Sequence, residues 1–137
     1  MKELLIDTNI VIDLLAKREP FYNEAAVLFS LADKKAIKLY ISSLTFANTH
    51  YILGKSAGIN PARTILRKFK ILVTVLALDD KIIELALNDS SFNDFEDAIQ
   101  YYSAIENNLD SIITRNLKDF KNAQLSVMTA GQLVSSL

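Results

Sequence analysis

Two groups of polar side chains follow apolar segments and could together bind a metal ion. Asp7-Thr8-Asn9 comes directly after Leu4-Leu5-Ile6, and Thr114-Arg115-Asn116 comes after Ser111-Ile112-Ile113, with Asp119 a few residues beyond it. If the two apolar segments are parallel strands of one sheet, their carboxyl ends meet at the crevice where open α/β sheets bind their ligands. The polar groups are therefore expected to lie close together.

Asp94 and Asp97 add two carboxylates at the start of a predicted helix. At about 100° per residue they lie about 60° apart on that helix, so both can face the same crevice. Carboxylates gathered in one place repel each other, and a divalent cation relieves that repulsion most directly. Oxygen ligands favour magnesium or manganese over zinc, so the pattern predicts a Mg²⁺ site that also accepts Mn²⁺.

Each of these polar residues also has a purely structural explanation. Asp7, Asp79 and Asp94 are suited to cap the amino terminus of a helix, and the residues of the Thr114-Arg115-Asn116 segment are suited to turns. Asp97 is predicted to lie beyond the first residues of its helix, where capping would not explain it. The metal hypothesis therefore depends on the joint pattern rather than on any one acid.

Other catalytic and cofactor motifs are missing from the sequence. His50 is the only histidine and is predicted to be structural, and there is no Gly-x-Ser-x-Gly segment, so a Ser/His/Asp site is not expected. With three glycines the chain has no phosphate-binding glycine loop, and with no cysteine it has no disulfide or thiolate metal site. The longest apolar run is far shorter than the roughly 20 residues of a membrane span. We therefore expect a soluble, cytoplasmic protein that does not contact membranes.

The elements that must position these residues alternate between strands and helices. Five short apolar or β-branched segments predict strands, at Leu4–Ile6, Leu39–Ile41, Ile71–Leu78, Ser111–Ile113 and Leu125–Met128. Apolar residues at helical spacing fill the intervals, which predicts helices at about Ile10–Leu15, Asn23–Ala36, from Ser43 onward, from the Asn60-Pro61 cap to about Lys68, Asp79–Asn88, Phe95–Ile105 and from Thr129. This alternation predicts one three-layer α/β/α domain over residues 1–137, with a mostly parallel sheet of about five strands.

Four segments of the chain resemble the PIN domain family, especially the VapC-like toxins of bacterial toxin-antitoxin pairs. They are spread over nearly the whole chain and are collectively more specific than any one of them. The segments are Leu5-Ile6-Asp7-Thr8-Asn9-Ile10-Val11-Ile12-Asp13, Ser43-Leu44-Thr45, Asp94-Phe95-Glu96-Asp97-Ala98 and Ile113-Thr114-Arg115-Asn116-Leu117-Lys118-Asp119-Phe120.

The resemblance implies a three-layer PIN-like fold and a metal-dependent endoribonuclease whose acidic quartet holds one or two Mg²⁺ ions. It also implies an RNA substrate, a homodimer and a cognate antitoxin. By position, Asp7, Asp97 and Asp119 would be metal ligands. The polar residues Asn9, Thr114 and Asn116 would orient ligands, water or phosphate.

Asn48 is the one departure from the family pattern, which usually has Glu three residues after the middle-segment Thr45. An amide oxygen can bind a metal but brings no negative charge, so the departure should weaken metal binding. Asp94 or Glu96 could replace the missing acid. Its angle on the helix favours Asp94 as the substitute ligand.

RNA contacts have to come from local groups of cations, because the formal net charge of the chain is -1. Arg115, Lys118 and Lys121 would meet phosphates near the site, and a second group consists of Arg63, Arg67, Lys68 and Lys70. Both groups could equally be solvated helix faces. Tyr101 could stack on a base, although core packing is the simpler role. The helix from residue 60 to 70 could contact a second copy or an antitoxin, or simply pack in the core.

Two other functions stay open at this point. The loss of an acid at Asn48 would suit a PIN-fold module that binds RNA or protein without cleaving RNA. A phosphoacceptor receiver domain is also a small parallel α/β protein with an acidic magnesium pocket, but the segment Leu76-Ala77-Leu78-Asp79-Asp80 matches its acceptor region poorly.

Overall fold

The computed structural model describes all 137 residues and contains one five-stranded sheet in which every pairing is parallel. The strand order is β3-β2-β1-β4-β5. The strands are β1 (Lys2–Ile6), β2 (Ile37–Ser42), β3 (Thr74–Leu76), β4 (Ser111–Ile113) and β5 (Ser126–Met128). Strand order reverses between β1 and β4, because the chain builds outward through β2 and β3 and then crosses to the other side of β1.

Seven α-helices cover the two faces of the sheet, which confirms the predicted three-layer architecture. They are α1 (Thr8–Leu15), α2 (Tyr22–Asp33), α3 (Ser43–Ala57), α4 (Ile59–Phe69), α5 (Asp80–Leu87), α6 (Phe95–Glu106) and α7 (Ala130–Ser136). Two 3₁₀ turns, Lys70–Leu72 and Leu117–Phe120, complete the elements. None of the helices is both long and apolar enough to cross a membrane.

The central strand β1 divides the core in two by the alternation of its side chains. Leu4 and Ile6 point into one apolar cluster, which α1, α2, α4 and α7 cover, whereas Leu5 points into the other, which α5 and α6 cover. All three side chains are fully buried. A short continuous apolar run is what a strand buried on both faces requires, so the rigid core holds the end of β1 firmly in place.

The third strand is much shorter than predicted. Residues Ile71–Leu78 were expected to be a strand, but only Thr74–Leu76 pairs with β2, and residues 70–72 form a 3₁₀ turn in which Ile71 is 84% exposed. The β-branched composition was misleading because the 3₁₀ turn that follows α4 occupies residues 70–72, so pairing with β2 begins only at Thr74.

The start of α4 also differs from the prediction. Asn60 was expected to cap this helix, yet the helix begins at Ile59 and its cap is Gly58, which has φ +94 and makes no side-chain cap hydrogen bond. Pro61 fits within the first turn because the N–H groups there have no partner in the helix. The apolar residues Leu66 and Phe69 of α4 are buried in the core.

Candidate metal centre

The candidate site lies at the carboxyl edge of the sheet, beside the point where strand order reverses. Asp7 is the first residue after β1, Thr114 is the first residue after β4, and these strands pair with each other. The N–H of Asp7 donates to the carbonyl of Ile113 at 3.0 Å, so the two strand ends stay together up to the site. The sheet thereby brings together residues that are more than 100 positions apart in the sequence.

Asp7 is held in one orientation by three donors. Its carboxylate accepts hydrogen bonds from the backbone N–H of Thr8 at 2.7 Å, the hydroxyl of Thr114 at 2.8 Å and the amide of Asn9 at 3.4 Å. The side chain is only 8% exposed. Burial raises the pKa of Asp7, the hydrogen bonds from Thr114 and Thr8 lower it, and the charges of Asp119 and Glu96 raise it again, with a net rise. The structure thus places Asn9 and Thr114 around this carboxylate.

The charged form of Asp97 is disfavoured in the folded chain. Burial, followed by the charges of Asp94, Asp7, Asp119 and Glu96, raises the pKa of Asp97 to about 7. The prediction that Asp97 lies beyond the start of its helix is wrong, since it is the third residue of α6 and its N–H donates to Asp94 at 3.1 Å. The helix dipole favours a carboxylate in this first turn, but burial and the neighbouring acids outweigh that benefit.

Three of the predicted acids line one open cleft. A polar cavity of about 240 Å³ is bordered by Asp94, Asp97 and Asp119 together with Lys118 and Lys121. Asp119 reaches it from the 3₁₀ turn after β4, and Asp94 reaches it from the amino end of α6, where it is also the helix cap. The two lysines lie where phosphate-binding cations were expected. Asn116 donates its backbone N–H to the hydroxyl of Thr114 at 3.0 Å, so it supports the site through the backbone.

Glu96 is the acid that sequence reasoning undervalued. The amide of Asn48 donates a hydrogen bond to the carboxylate of Glu96 at 3.3 Å, and the charge of Glu96 raises the pKa of both Asp7 and Asp97. The charge of Asp94 affects the pKa of Asp97 but is not among the causes of the shift at Asp7. Glu96 is therefore a second candidate for the missing acid, beside Asp94, which lines the acidic cavity and whose charge has the larger effect on the pKa of Asp97.

A buried polar network supports the site from behind. The hydroxyl of Thr8 lies 3.0 Å from that of Thr45, which in turn accepts a hydrogen bond from Gln100 at 2.9 Å. Thr45 and Gln100 are almost fully buried. Gln100 was missed in the sequence, although a polar residue within the apolar face of α6 was the available signal. The network ties α1, α3 and α6 together behind the carboxylates.

Arg115 is placed away from the cleft, contrary to its predicted contact with RNA phosphate. Its guanidinium makes a two-pronged ion pair with Asp13, at 2.7 and 3.2 Å, and packs 3.9 Å from the ring centre of Phe21. Asp13 is fully buried in α1. A charge buried in the core needs a partner, and Arg115 supplies it, so its side chain has a structural role.

Tyr101 is also a core residue rather than a base-stacking platform. It is 8% exposed, packs against Phe92 with ring centres 5.0 Å apart, and its hydroxyl accepts a hydrogen bond from the N–H of Gln124.

Asp79 caps α5 by accepting from the N–H of Ile82 at 3.0 Å. That cap follows the edge strand β3, two strands away from the end of β1, so Asp79 lies apart from Asp7.

The chemistry of the donors fits a hard divalent cation. The cleft contributes carboxylate, hydroxyl and amide oxygens, with no histidine or cysteine, which is the donor set that magnesium and manganese accept. Burial and, after it, repulsion among the acids raise the pKa of Asp7 and Asp97, and a cation would favour the charged form of both. In this conformation no three acidic side chains converge closely enough to hold one ion by themselves. The acids are therefore grouped around a cleft rather than closed into a coordination shell.

The sequence model of the PIN domain family matches residues 3–118. The chain belongs to the PIN domain family. This PIN domain is 26% identical over 133 residues to "Ribonuclease VapC1" of Aquifex aeolicus (strain VF5). The aligned region covers 93% of this chain and 90% of that relative. A solved toxin-antitoxin complex from Klebsiella pneumoniae contains a chain that is 26% identical, with a TM-score of 0.69 and coverage of 93% of this chain and 97% of that one.

More distant structures agree with the fold of this PIN domain. A chain of VapBC-1 from nontypeable Haemophilus influenzae has a TM-score of 0.72 at 18% identity and covers 94% of this chain and 98% of its own length. A chain of VapBC2 from Rickettsia felis, bound to a DNA fragment from their promoter, has a TM-score of 0.69 at 21% identity, with coverage of 92% and 96%. These similarities confirm the predicted PIN-like architecture.

Proposed function

We propose that this PIN domain is an endoribonuclease that depends on Mg²⁺, with Mn²⁺ as a substitute, and hydrolyses phosphodiester bonds of RNA. The observation that carries the proposal is the grouping of acids from separate elements at one edge of the sheet, where Asp97 and Asp119 line one cavity and Asp7 directly follows β1. The similarity to a protein named "Ribonuclease VapC1" supports the same reaction class.

The three carboxylates of Asp7, Asp97 and Asp119 would hold the cation, with Glu96 as the fourth acid. When bound, the cation supplies Lewis-acid polarisation of the phosphate and an activated water. Asp7 is the fixed member because buried hydrogen bonds determine its orientation. Asp94 is proposed as a weaker contributor, since one of its oxygens already caps α6.

The other residues of the cleft would bind and orient the RNA. Lys118 and Lys121 border the acidic cavity and would attract the phosphates that the carboxylates repel. Asn9 and Thr114 hold Asp7, and Thr114 also accepts the backbone N–H of Asn116. No side chain is required as a nucleophile, because water attacks phosphorus and the leaving oxygen departs in line.

Cleavage of a total RNA pool tests this function. Purified protein with Mg²⁺ or Mn²⁺ is expected to cut the RNA, and Asp97→Asn is expected to lower the rate at least a hundredfold because it removes a charged cation ligand. Asp80→Asn is the matched control, since Asp80 is an exposed acid in the first turn of α5. Equal cleavage by Asp97→Asn and Asp80→Asn would reject the site.

Asn48 favours a second candidate, a PIN-fold module that binds RNA or protein without cleaving RNA. Its side chain brings no charge to the cleft and donates to Glu96 instead. The same assay separates the two candidates, because the binding module predicts RNA binding that does not change with metal and no cleavage in any metal of the series.

We further propose that the protein is the toxin of a toxin-antitoxin pair, acting as a homodimer and inhibited by a cognate antitoxin. Solved toxin-antitoxin complexes are among the proteins of similar structure. Expression is expected to arrest growth, and the product of a small neighbouring gene should relieve the arrest. Normal growth with abundant folded protein, or equal arrest by Asp97→Asn, would contradict the toxin function.

A further inference from the structure

The positive charges of the chain are concentrated in one continuous segment. Residues 34–78 contain eight of the fifteen Lys and Arg residues and none of the sixteen Asp and Glu residues. The segment includes α3 and α4. The formal charge of -1 is therefore the sum of a basic segment, residues 34–78, and an acidic remainder of the chain.

The cations of α4 and the turn after it face a groove against α3. Arg63, Arg67 and Lys70 are spaced four and three residues apart, which places them on one face, and they line a cavity of about 380 Å³ with Phe46 and His50 of α3. The three cations are exposed. Neither of the two ion pairs of the chain involves them, so their charge is available to a ligand.

The aromatic wall of the groove contains a polar atom without a partner. The Nε2 atom of His50 is buried and has no hydrogen-bond partner in the protein. A buried polar atom of this kind costs free energy unless water or a ligand satisfies it. Phe46 packs against Phe69 with ring centres 5.9 Å apart, which holds the wall rigidly against α4. The groove thus combines cations with aromatic surface, while the unpaired nitrogen of His50 lies buried behind it.

The groove lies on the other side of α3 from the contact between Asn48 and Glu96. Asn48 is two residues from both Phe46 and His50, so its side chain lies about 160° away from theirs around the helix. The width of a helix with its side chains, about 10 Å, separates the groove from that contact and from Asp97 beside it. About three nucleotides of a stacked strand cover that distance at 3.4 Å per nucleotide.

We propose that the groove between α3 and α4 binds the phosphate backbone of a single-stranded RNA segment a few nucleotides from the cleavage position, with Arg63, Arg67 and Lys70 as its phosphate contacts. This inference rests on the proposed ribonuclease function, because an acidic cleft repels RNA and needs cations elsewhere to hold it. The ring of His50 lies beside the strand, where aromatic surface stacks on unpaired bases.

A salt series of RNA binding tests the proposal. A labelled single-stranded RNA of mixed sequence is titrated in chelator, so that no cleavage occurs, and fluorescence anisotropy gives the affinity. The variant Arg63→Gln/Arg67→Gln/Lys70→Gln is expected to bind at least tenfold more weakly at low salt. Its salt slope should be smaller by about 2, since each phosphate contact on a single strand contributes about 0.7.

The matched control, Lys2→Gln/Lys34→Gln/Lys35→Gln, removes the same charge from the opposite, amino edge of the sheet and should keep the wild-type salt slope. His50→Gln should weaken binding severalfold without changing the slope, because stacking releases no counterions. Equal losses in the two triple variants would overturn the proposal. Poly-glutamate that competes as well as RNA of equal charge would also overturn it, since the groove would then fit an acidic protein.

The outcomes also separate this inference from the proposed ribonuclease. If Asp97→Asn abolishes cleavage while the groove variant binds RNA normally, the groove proposal alone fails. If the groove variant loses RNA binding while the wild-type protein cleaves no RNA in any metal, the ribonuclease fails and the RNA-binding groove stands. Thermal unfolding of each variant verifies that the exposed substitutions leave the fold intact.

Discussion

Asn48 donates a side-chain hydrogen bond to Glu96 at 3.3 Å and thereby joins α3 to α6 next to Asp97. One turn away on each helix, Gln100 donates to Thr45 at 2.9 Å. The two bonds therefore connect the same pair of helices at two places. Asn48 stands at the position where the family usually has Glu. Its neutral amide instead orients the carboxylate of Glu96 on α6.

This arrangement predicts that Glu96 and Asn48 can exchange roles. Glu96→Gln should weaken Mg²⁺ binding about tenfold, which is about 1.4 kcal/mol, because it removes a charge from the cleft. Asn48→Glu/Glu96→Gln should restore most of the affinity, since the acid returns on α3 while the amide moves to α6. Calorimetric titration of Mg²⁺ into the chelator-treated protein measures both changes without any RNA.

Glu84→Gln is the control for this exchange, because Glu84 is an exposed acid on α5. It should bind Mg²⁺ as the wild-type protein does. If Glu96→Gln also behaves like the wild type, Glu96 is only a rim residue. If Glu96→Gln and the double variant bind Mg²⁺ equally weakly, the charge of Glu96 matters, and a carboxylate at position 48 cannot replace it.

The stability of the metal-free protein should depend on pH through Asp97. Its pKa is about 7 in the folded chain against an ordinary value of 3.8, so the folded state holds its proton more tightly than the unfolded state does. Stability from this group is therefore lost as pH rises from about 4 to 7. Asp97→Asn should remove the penalty and raise the free energy of unfolding at pH 8 by about 1 to 2 kcal/mol, after allowing for solvent screening.

Urea unfolding in chelator at pH 5 and pH 8 measures this effect. The gain in Asp97→Asn should be larger at pH 8 than at pH 5, while Asp80→Asn should show no such difference. Adding Mg²⁺ at pH 8 should stabilise the wild-type protein and not Asp97→Asn. A gain that is the same at both pH values would mean that amide packing, rather than the removal of repulsion, stabilises the variant.

Much of the site could be predicted because its parts obey local rules. A continuous apolar run such as Leu4-Leu5-Ile6 indicates a strand buried on both faces, and the polar residue that follows it must then lie at the sheet edge. Asp7, Asp79 and Asp94 each cap a helix as predicted. Three-dimensional proximity followed from parallel pairing alone, because β1 and β4 are neighbours.

The errors arose where a side chain had a partner far away in the sequence. The contact between Asn48 and Glu96 depends on how α3 and α6 cross, which no helical spacing specifies, so the sequence did not disclose it. The length of β3 depended on the 3₁₀ turn that follows α4 through residue 72, which the β-branched composition did not disclose either. Gly58 capped α4 in place of Asn60 because a glycine at φ +94 turns the chain there without steric cost.

Thr114 should control the affinity of the site through Asp7. Its hydroxyl donates to the Asp7 carboxylate at 2.8 Å, and both side chains are buried. Thr114→Val keeps the shape but leaves the buried carboxylate one donor short, which costs about 1 to 3 kcal/mol. We expect weaker Mg²⁺ binding and a lower melting temperature. Thr74→Val, an exposed position on β3, is the control, and an unchanged Mg²⁺ affinity in Thr114→Val would contradict the positioning role.

Arg115 should behave as a stabilising residue rather than as an RNA contact. Asp13 is fully buried and its carboxylate is paired by the Arg115 guanidinium through two hydrogen bonds. Breaking a buried pair by removing one partner costs about 3 to 5 kcal/mol, because the other charge stays buried and unpaired. Arg115→Gln should therefore lower the free energy of unfolding by about that amount, and Arg115→Lys should recover only part of it because an ammonium group cannot make both bonds in the same plane.

A double variant distinguishes loss of the pair from loss of an RNA contact. Asp13→Asn/Arg115→Gln removes both charges, so it should be more stable than Arg115→Gln alone even though it still lacks the arginine. Below the unfolding temperature, its RNA affinity should have the same salt slope as that of the wild-type protein, since this guanidinium neutralises Asp13 and no phosphate. A salt slope that falls in both variants, with little loss of stability in Arg115→Gln, would instead place Arg115 on the RNA.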